Sequence, residues 1–105
     1  MKMSELIITK KQENEKLTVF AEGRIDTATS PNLDTEVKAS LEGIKHLVLN
    51  LEKTSYISSS GLRVLLSLHK TMDAKGGDFI VSKPTEMVLE VFDVTGFADM
   101  LNIES

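Results

Sequence analysis

Two neighbouring stretches, His46-Leu47-Val48-Leu49-Asn50-Leu51 and Tyr56-Ile57-Ser58-Ser59-Ser60-Gly61-Leu62, decide the fold. The first is the most apolar run in the chain. A run that is nearly continuous rather than alternating predicts a central strand covered on both faces. Lys53 to Ser60 reads as a polar loop interrupted by Tyr56-Ile57, and a helix follows from Gly61 or nearby. Leu62, Leu65, Leu66 and Met72 fall on one helical face, and Val64 and Leu68 widen it. Gly76-Gly77-Asp78 stops the helix, and Phe79-Ile80-Val81 is a short strand. Strand, helix and strand in this order make a crossover unit, which forces the two strands to pair in parallel.

The same pattern extends in both directions. Upstream, Leu6 to Lys11 and Leu17 to Glu22 read as strands, with Asn14-Glu15 placed for a hairpin turn. Phe20 breaks the alternation of the second strand, which predicts partial cover on its outer face. Gly23 to Ser30 is a loop. Ser30-Pro31 starts a helix, because Ser can cap and Pro is tolerated at the first helical position. Leu33, Val37, Leu41 and Ile44 form its apolar stripe, and Gly43 ends it. Downstream, Pro84 opens a third helix carrying Met87, Val88, Val91 and Phe92, which Thr95-Gly96 ends. Phe97, Met100, Leu101 and Ile103 close the chain as a last turn and a short edge strand. The fold class is therefore α/β: a mixed, mostly parallel sheet of four to five strands with an N-terminal antiparallel hairpin, packed by three to four helices. Residues 1–105 read as a single domain, as expected for a chain of 105 residues.

Composition excludes several classes of function. The chain is 41% hydrophobic and 27% charged, with a formal charge of -4. That charge is evenly divided: seven basic and nine acidic residues in 1–52, five and seven in 53–105. A mildly acidic domain with no basic cluster is a poor nucleic-acid binder, since phosphate contacts supply most of that affinity. With no cysteine there is no disulfide, thiolate zinc site, iron–sulfur ligation or Cys nucleophile. The N-terminal apolar run, Leu6-Ile7-Ile8, is too short for a signal-peptide core, and no window approaches the roughly 18 apolar residues of a spanning helix. The expected location is cytoplasmic, without membrane insertion.

Chemistry concentrates at Ser58-Ser59-Ser60-Gly61. Three hydroxyls meet the start of a helix, where free N–H groups and the helix dipole favour negative charge. One reading is a phosphate site, on a bound ligand or on a serine that is itself phosphorylated. The other is a plain serine cap, which spacing alone favours. Gly23-Arg24-Ile25-Asp26-Thr27 also leaves a strand for a helix. Asp26 either makes a local Asx turn or lies beside the serine loop on the edge shared by loops that follow parallel strands. His46 and His69 stand alone, without metal-ligand spacing. No Gly-x-Ser-x-Gly elbow surrounds Ser59, so a hydrolase would need a base brought to it by the fold. No catalytic residue, metal site or cofactor is predicted.

Taken together these residues resemble the STAS domain family, and within it the bacterial anti-sigma factor antagonists. The resemblance rests on Leu47-Val48-Leu49-Asn50-Leu51, Tyr56 to Leu62 and Val64-Leu65-Leu66. It also rests on Gly23-Arg24-Ile25-Asp26, Gly76-Gly77 and Phe92-Asp93-Val94-Thr95-Gly96-Phe97, so it spans essentially the whole chain. It implies a non-enzymatic partner switch. An unphosphorylated antagonist binds an anti-sigma factor that is also a serine kinase, which frees the sigma factor. Phosphorylation of one serine breaks the complex, and a PP2C-type phosphatase resets it.

The family pattern at the serine loop is Asp-Ser-Ser/Thr-Gly, with the modified serine directly after the Asp. Laid on this chain, that serine is Ser59, with Ser58 and Ser60 as its neighbours. The Asp position is Ser58, so the carboxylate beside the acceptor is missing here. Asp26, Thr27, Ser58, Ser60, Gly61, Leu62 and Arg63 are the residues expected to border the partner surface; Arg63 reads equally as an ordinary solvated side chain. The resemblance leaves a second function open. STAS modules also serve in transport or lipid-trafficking assemblies, or bind small ligands or nucleotides.

Overall fold

The computed structural model describes residues 6–104. In chain order the elements are β1 (Leu6–Glu13), β2 (Lys16–Ile25), α1 (Ser30–Lys38), β3 (His46–Asn50), β4 (Thr54–Ile57), α2 (Ser59–Ala74), β5 (Asp78–Ser82), α3 (Glu86–Thr95), a 3-10 turn (Phe97–Asp99) and β6 (Asn102–Glu104). The strands form one mixed sheet in the order β1-β2-β3-β5-β6, with β4 also paired to β2. Only the β1–β2 hairpin is antiparallel; β3, β4, β5 and β6 all pair in parallel. The mixed sheet, the N-terminal hairpin and the three helices agree with the sequence reading.

The hairpin closes through a two-residue loop, since Glu13 pairs with Lys16. Asn14 adopts φ 57, a left-handed conformation that Asn tolerates better than most residues because its short side chain can bond locally. Tight two-residue turns need positive φ to follow the twist of the strands.

One face of the sheet carries the core. Leu17, Val19 and Ala21 of β2, Leu47 and Leu49 of β3, and Phe79 and Val81 of β5 point to it and are buried. The helices close over them with Leu33, Val37, Leu65, Leu68, Met72, Val88 and Phe92. The opposite face is not covered as expected. Val48 and Ile80 are half-buried there, Phe20 is 37% exposed and Ile7 51%. The run 46–51 is therefore a one-sided strand. Val48 gains its partial burial from Thr18 and Ile80, its register partners on either side.

Several boundaries move for identifiable reasons. β2 continues to Ile25 because β4 supplies a partner for its last residues. α1 ends at Lys38; the apolar spacing continues to Leu41 and Ile44 through successive turns, with Leu41 N–H donating to Lys38 O and Ile44 N–H to Leu41 O. Thr29, not Ser30, occupies the N-cap of α1, and Ser30 is buried as its first residue. Thr85 caps α3 by accepting from Val88 N–H, so that helix begins at Glu86, two residues after Pro84.

Leu49 is 1% exposed at the centre of this one-sided core. Leu49→Ala is expected to lower stability by about 2–5 kcal/mol, read as a fall in the urea unfolding midpoint at unchanged slope.

Candidate functional site

Residues 53–60 were expected as loop, yet 54–57 are strand β4. After Asn50 the chain leaves the line of β3: Leu51 N–H donates to Ser82 O, and Lys53 O accepts from Gly23 N–H. It then rejoins β2 in parallel, Arg24 against Tyr56 and Ile25 against Ile57, across a register shift between Gly23 and Arg24. Thr54 is buried because its Oγ1 donates to Ala21 O at 2.7 Å, satisfying a carbonyl near the shift. A buried threonine with a backbone partner is invisible to hydrophobic patterning, which is why this strand reads as a polar loop.

The end of β4 delivers the serines. Ser58 N–H continues the ladder by donating to Ile25 O at 2.9 Å. Its side chain is the N-cap of α2, accepting from Gly61 N–H at 3.2 Å. Ser58 thus fills the capping duty that a carboxylate at this position would have. Ser60 lies 3.4 Å from Thr27 Oγ1, a hydroxyl pair that ties the loop after β2 to the start of α2. Ser59, the first residue of α2, is exposed, and its hydroxyl has no protein partner among the described residues. The three serines therefore hold three different positions: one caps, one bridges, one is free.

Asp26 makes the local turn, while its neighbours Ile25 and Thr27 contact Ser58 and Ser60. Its Oδ1 accepts from Ala28 N–H at 3.0 Å and Thr29 N–H at 3.1 Å, an Asx turn. Its Oδ2 lies 3.5 Å from Arg24 Nε. The Arg24 guanidinium in turn stacks 4.3 Å above the Tyr56 ring, a cation–π contact across the β2–β4 pair. Nothing in the residue pattern alone assigns Arg24 a role. It braces the Asp26 turn against β4, and the signal for it was the Gly-Arg-Ile-Asp string together with a lone Tyr one strand away. Thr27 and Arg63 are exposed beside Ser59, whereas Gly61 and Leu62 are buried, Leu62 at 3% exposure. These two build the site from beneath and offer it no side chain.

Neither histidine is placed to act as a base for Ser59. His69 lies ten residues along α2, roughly 15 Å away by helical rise. His46 opens β3, at the opposite end of the strand from β4, and pairs with Asp78 at 3.1 Å. Among the described residues no group of three or more His, Asp or Glu side chains could hold a metal ion, and no helix is long and apolar enough to cross a membrane.

Comparison with known proteins agrees with this arrangement. The profile of the STAS domain family matches residues 7–105, and the chain belongs to that family. BtrV of Bordetella bronchiseptica, assigned as an anti-sigma factor antagonist, is 31% identical over 88 residues, covering 83% of this chain and 76% of BtrV. The anti-sigma-B factor antagonist of Bacillus subtilis is 28% identical over 95 residues, covering 90% of this chain and 87% of its own. Among solved structures, the anti-sigma factor antagonist SpoIIAA superposes in its unphosphorylated form with a TM-score of 0.81 at 18% identity, covering 94% of this chain and 89% of that one. Its phosphorylated form, a Bacillus cell fate determinant, superposes at 0.73 and 17% identity, covering 94% and 92%. At those identities the structural matches establish the fold alone. Membership of this antagonist group makes the chain a non-enzymatic regulator.

A Cβ on Gly61 would sit 2.7 Å from Ile57 Cγ1, 2.8 Å from Ile25 Cγ2 and 3.1 Å from Ile25 O. Gly61→Ala is expected to destabilise the domain by about 1–3 kcal/mol, measured by thermal or urea unfolding. Ser58→Ala, which removes the cap, is expected to lose ~1 kcal/mol, and Ser58→Asp to restore it in the same assay.

Proposed function

We propose that this protein is an anti-sigma factor antagonist switched by phosphorylation of Ser59. Unmodified, it binds an anti-sigma factor that is also a serine kinase, and so frees a sigma factor. Phosphorylation of Ser59 by that kinase dissociates the pair, and a PP2C-type phosphatase restores the binding form. The observation that carries the reading is the division among the serines. Ser58 and Ser60 have hydroxyls engaged within the fold, while Ser59 presents its hydroxyl to solvent at the first position of α2.

Physics supplies the logic of the switch. A phosphoserine carries about -1.5 to -2 charges at neutral pH. At a helix N-terminus that charge is favoured within the domain, so the fold survives modification. Beneath a docked partner the same charge must shed its water, which is unfavourable without a cation to receive it. Names of similar proteins support the reading: relatives at 28–31% identity carry the antagonist name, and SpoIIAA, of the same fold, is known in both phosphorylated and unphosphorylated forms.

Ser59→Ala is expected to bind the kinase as the unmodified chain does and to take up no phosphate from ATP. Ser59→Asp should bind about tenfold more weakly or worse, a difference of at least ~1.4 kcal/mol. Calorimetric titration of both variants, with mass spectrometry of the chain after incubation with kinase and ATP, checks these outcomes. Equal binding by the two variants, or phosphate at a residue other than Ser59, overturns the assignment.

A further inference from the structure

The outward face of α2 continues well past the serine loop. Ser59, Arg63, Leu66, Lys70 and Ala74 follow one another at spacings of four, three, four and four residues, which places them on one stripe along the helix. A shallow groove of about 470 Å³ runs along this stripe, with Ser67 and Thr71 on its flank. Leu66 is half-buried in its middle, and Arg63 and Lys70 are exposed on either side.

Sixteen acidic residues face twelve basic ones, and Lys10, Arg24, Lys38 and Lys83 each lie within 4.0 Å of a carboxylate. The side chains of Arg63 and Lys70 have no ion-pair or hydrogen-bond partner among the described residues; the same holds for those of Lys11, Lys16, Lys45 and Lys53, but only Arg63 and Lys70 lie together on one helix. The one acid of α2 is Asp73, in its last turn. On the neighbouring helix Asp34 is already held by Lys38 at 3.1 Å, and Lys38 also donates to Ser67 Oγ at 2.8 Å. An acidic protein thus keeps two cations unneutralised on a single helical face, with an apolar side chain between them.

We infer that this stripe is the docking face for an acidic surface of the anti-sigma kinase. Carboxylates on that surface meet Arg63 and Lys70, about 10 Å apart by helical rise, and an apolar side chain seats against Leu66. The inference rests on the function proposed above and adds the chemistry of the partner's face. It also gives the switch an electrostatic balance. The stripe carries two positive charges, and phosphate on Ser59 adds about -1.5 to -2 at its N-terminal end. Arg63 stands four residues after Ser59, the acid-before-base order that favours an i, i+4 pair. Phosphorylation therefore brings the docking face close to neutrality and draws Arg63 away from the partner.

Lys70 provides the test, because it lies about 16 Å from Ser59, two Debye lengths at physiological salt, and so reports on the stripe apart from the serine. The measurement is kinase affinity of S59A and S59A/K70E chains at two salt concentrations, with unfolding midpoints as a control for folding. The expected result is an affinity about tenfold lower for S59A/K70E, a gap that narrows as salt rises. A second arm uses phosphoserine installed at position 59 during translation and reads the phosphate pKa by phosphorus NMR. It should be lower with Arg63 in place than in R63Q. Equal kinase affinity with and without K70E overturns the docking face while leaving the Ser59 switch intact. An unchanged phosphate pKa in R63Q overturns the capture of Arg63. Failure of S59A itself to bind the kinase overturns the proposed function and this inference with it. If K70E instead abolishes self-association or binding to phosphatidylserine vesicles, with kinase affinity unchanged, the stripe serves a different occupant and the inference is wrong.

Discussion

At Gly61 the first turn of α2 rests directly on the ends of two strands, with Ile25 on one side and Ile57 on the other and no space for even a methyl group between. Everything at the site follows from that close approach. It fixes the height of the helix start above β2 and β4. It leaves Ser58 where its N–H completes the β2–β4 ladder while its hydroxyl caps the helix. With positions 58 and 61 both held, residue 59 has nowhere to point but outward.

The site is rigid by construction rather than by size. Asp26 closes its own turn, Arg24 joins that turn to Tyr56, and Thr27 reaches Ser60. Each contact is small, since exposed ion pairs and single hydroxyl bonds contribute at most about a kcal/mol. Their value lies in connecting two loops that leave adjacent strands, so that one exposed hydroxyl is presented by a fixed frame. The switch proposed at Ser59 gains from such a frame, because the change in charge is not blurred by motion of the backbone.

Much of this was legible in the residues. The hairpin at Asn14-Glu15, the crossover from Leu47 through α2 to Phe79, and the last short strand at Ile103 were all readable from period and punctuation. So was the serine loop, since three hydroxyls before a glycine at a helix start are rare enough to draw the eye. What stayed hidden lay in local hydrogen bonding, which hydrophobic patterning does not report. Thr54 is buried through Ala21 O, so β4 lacked an apolar signature. Leu41 and Ile44 are buried through consecutive turns, so α1 read longer than it is. The open outer face misled in the other direction, because Val48 and Phe20 are apolar without being covered by a helix. Which serine is free was also beyond sequence reasoning, as it depends on where Thr27 and Gly61 fall in space.

The division of one strand line into β3 and β4 has a wider consequence. β3 belongs to the core: its register partners are β2 and β5, and its side chains are those the helices close over. β4 pairs with β2 alone among the strands and leads straight into the serines. The interruption at Leu51-Glu52-Lys53 therefore sorts the positions that follow it by what they can tolerate. Thr54, Ile57 and Ser58 are tied into the scaffold by Ala21 O, by the close approach of Gly61 and by the cap of α2. Ser55 and Ser59 between and after them are exposed. Substitution at those two positions alters what the surface presents while the scaffold beneath it stays as it is.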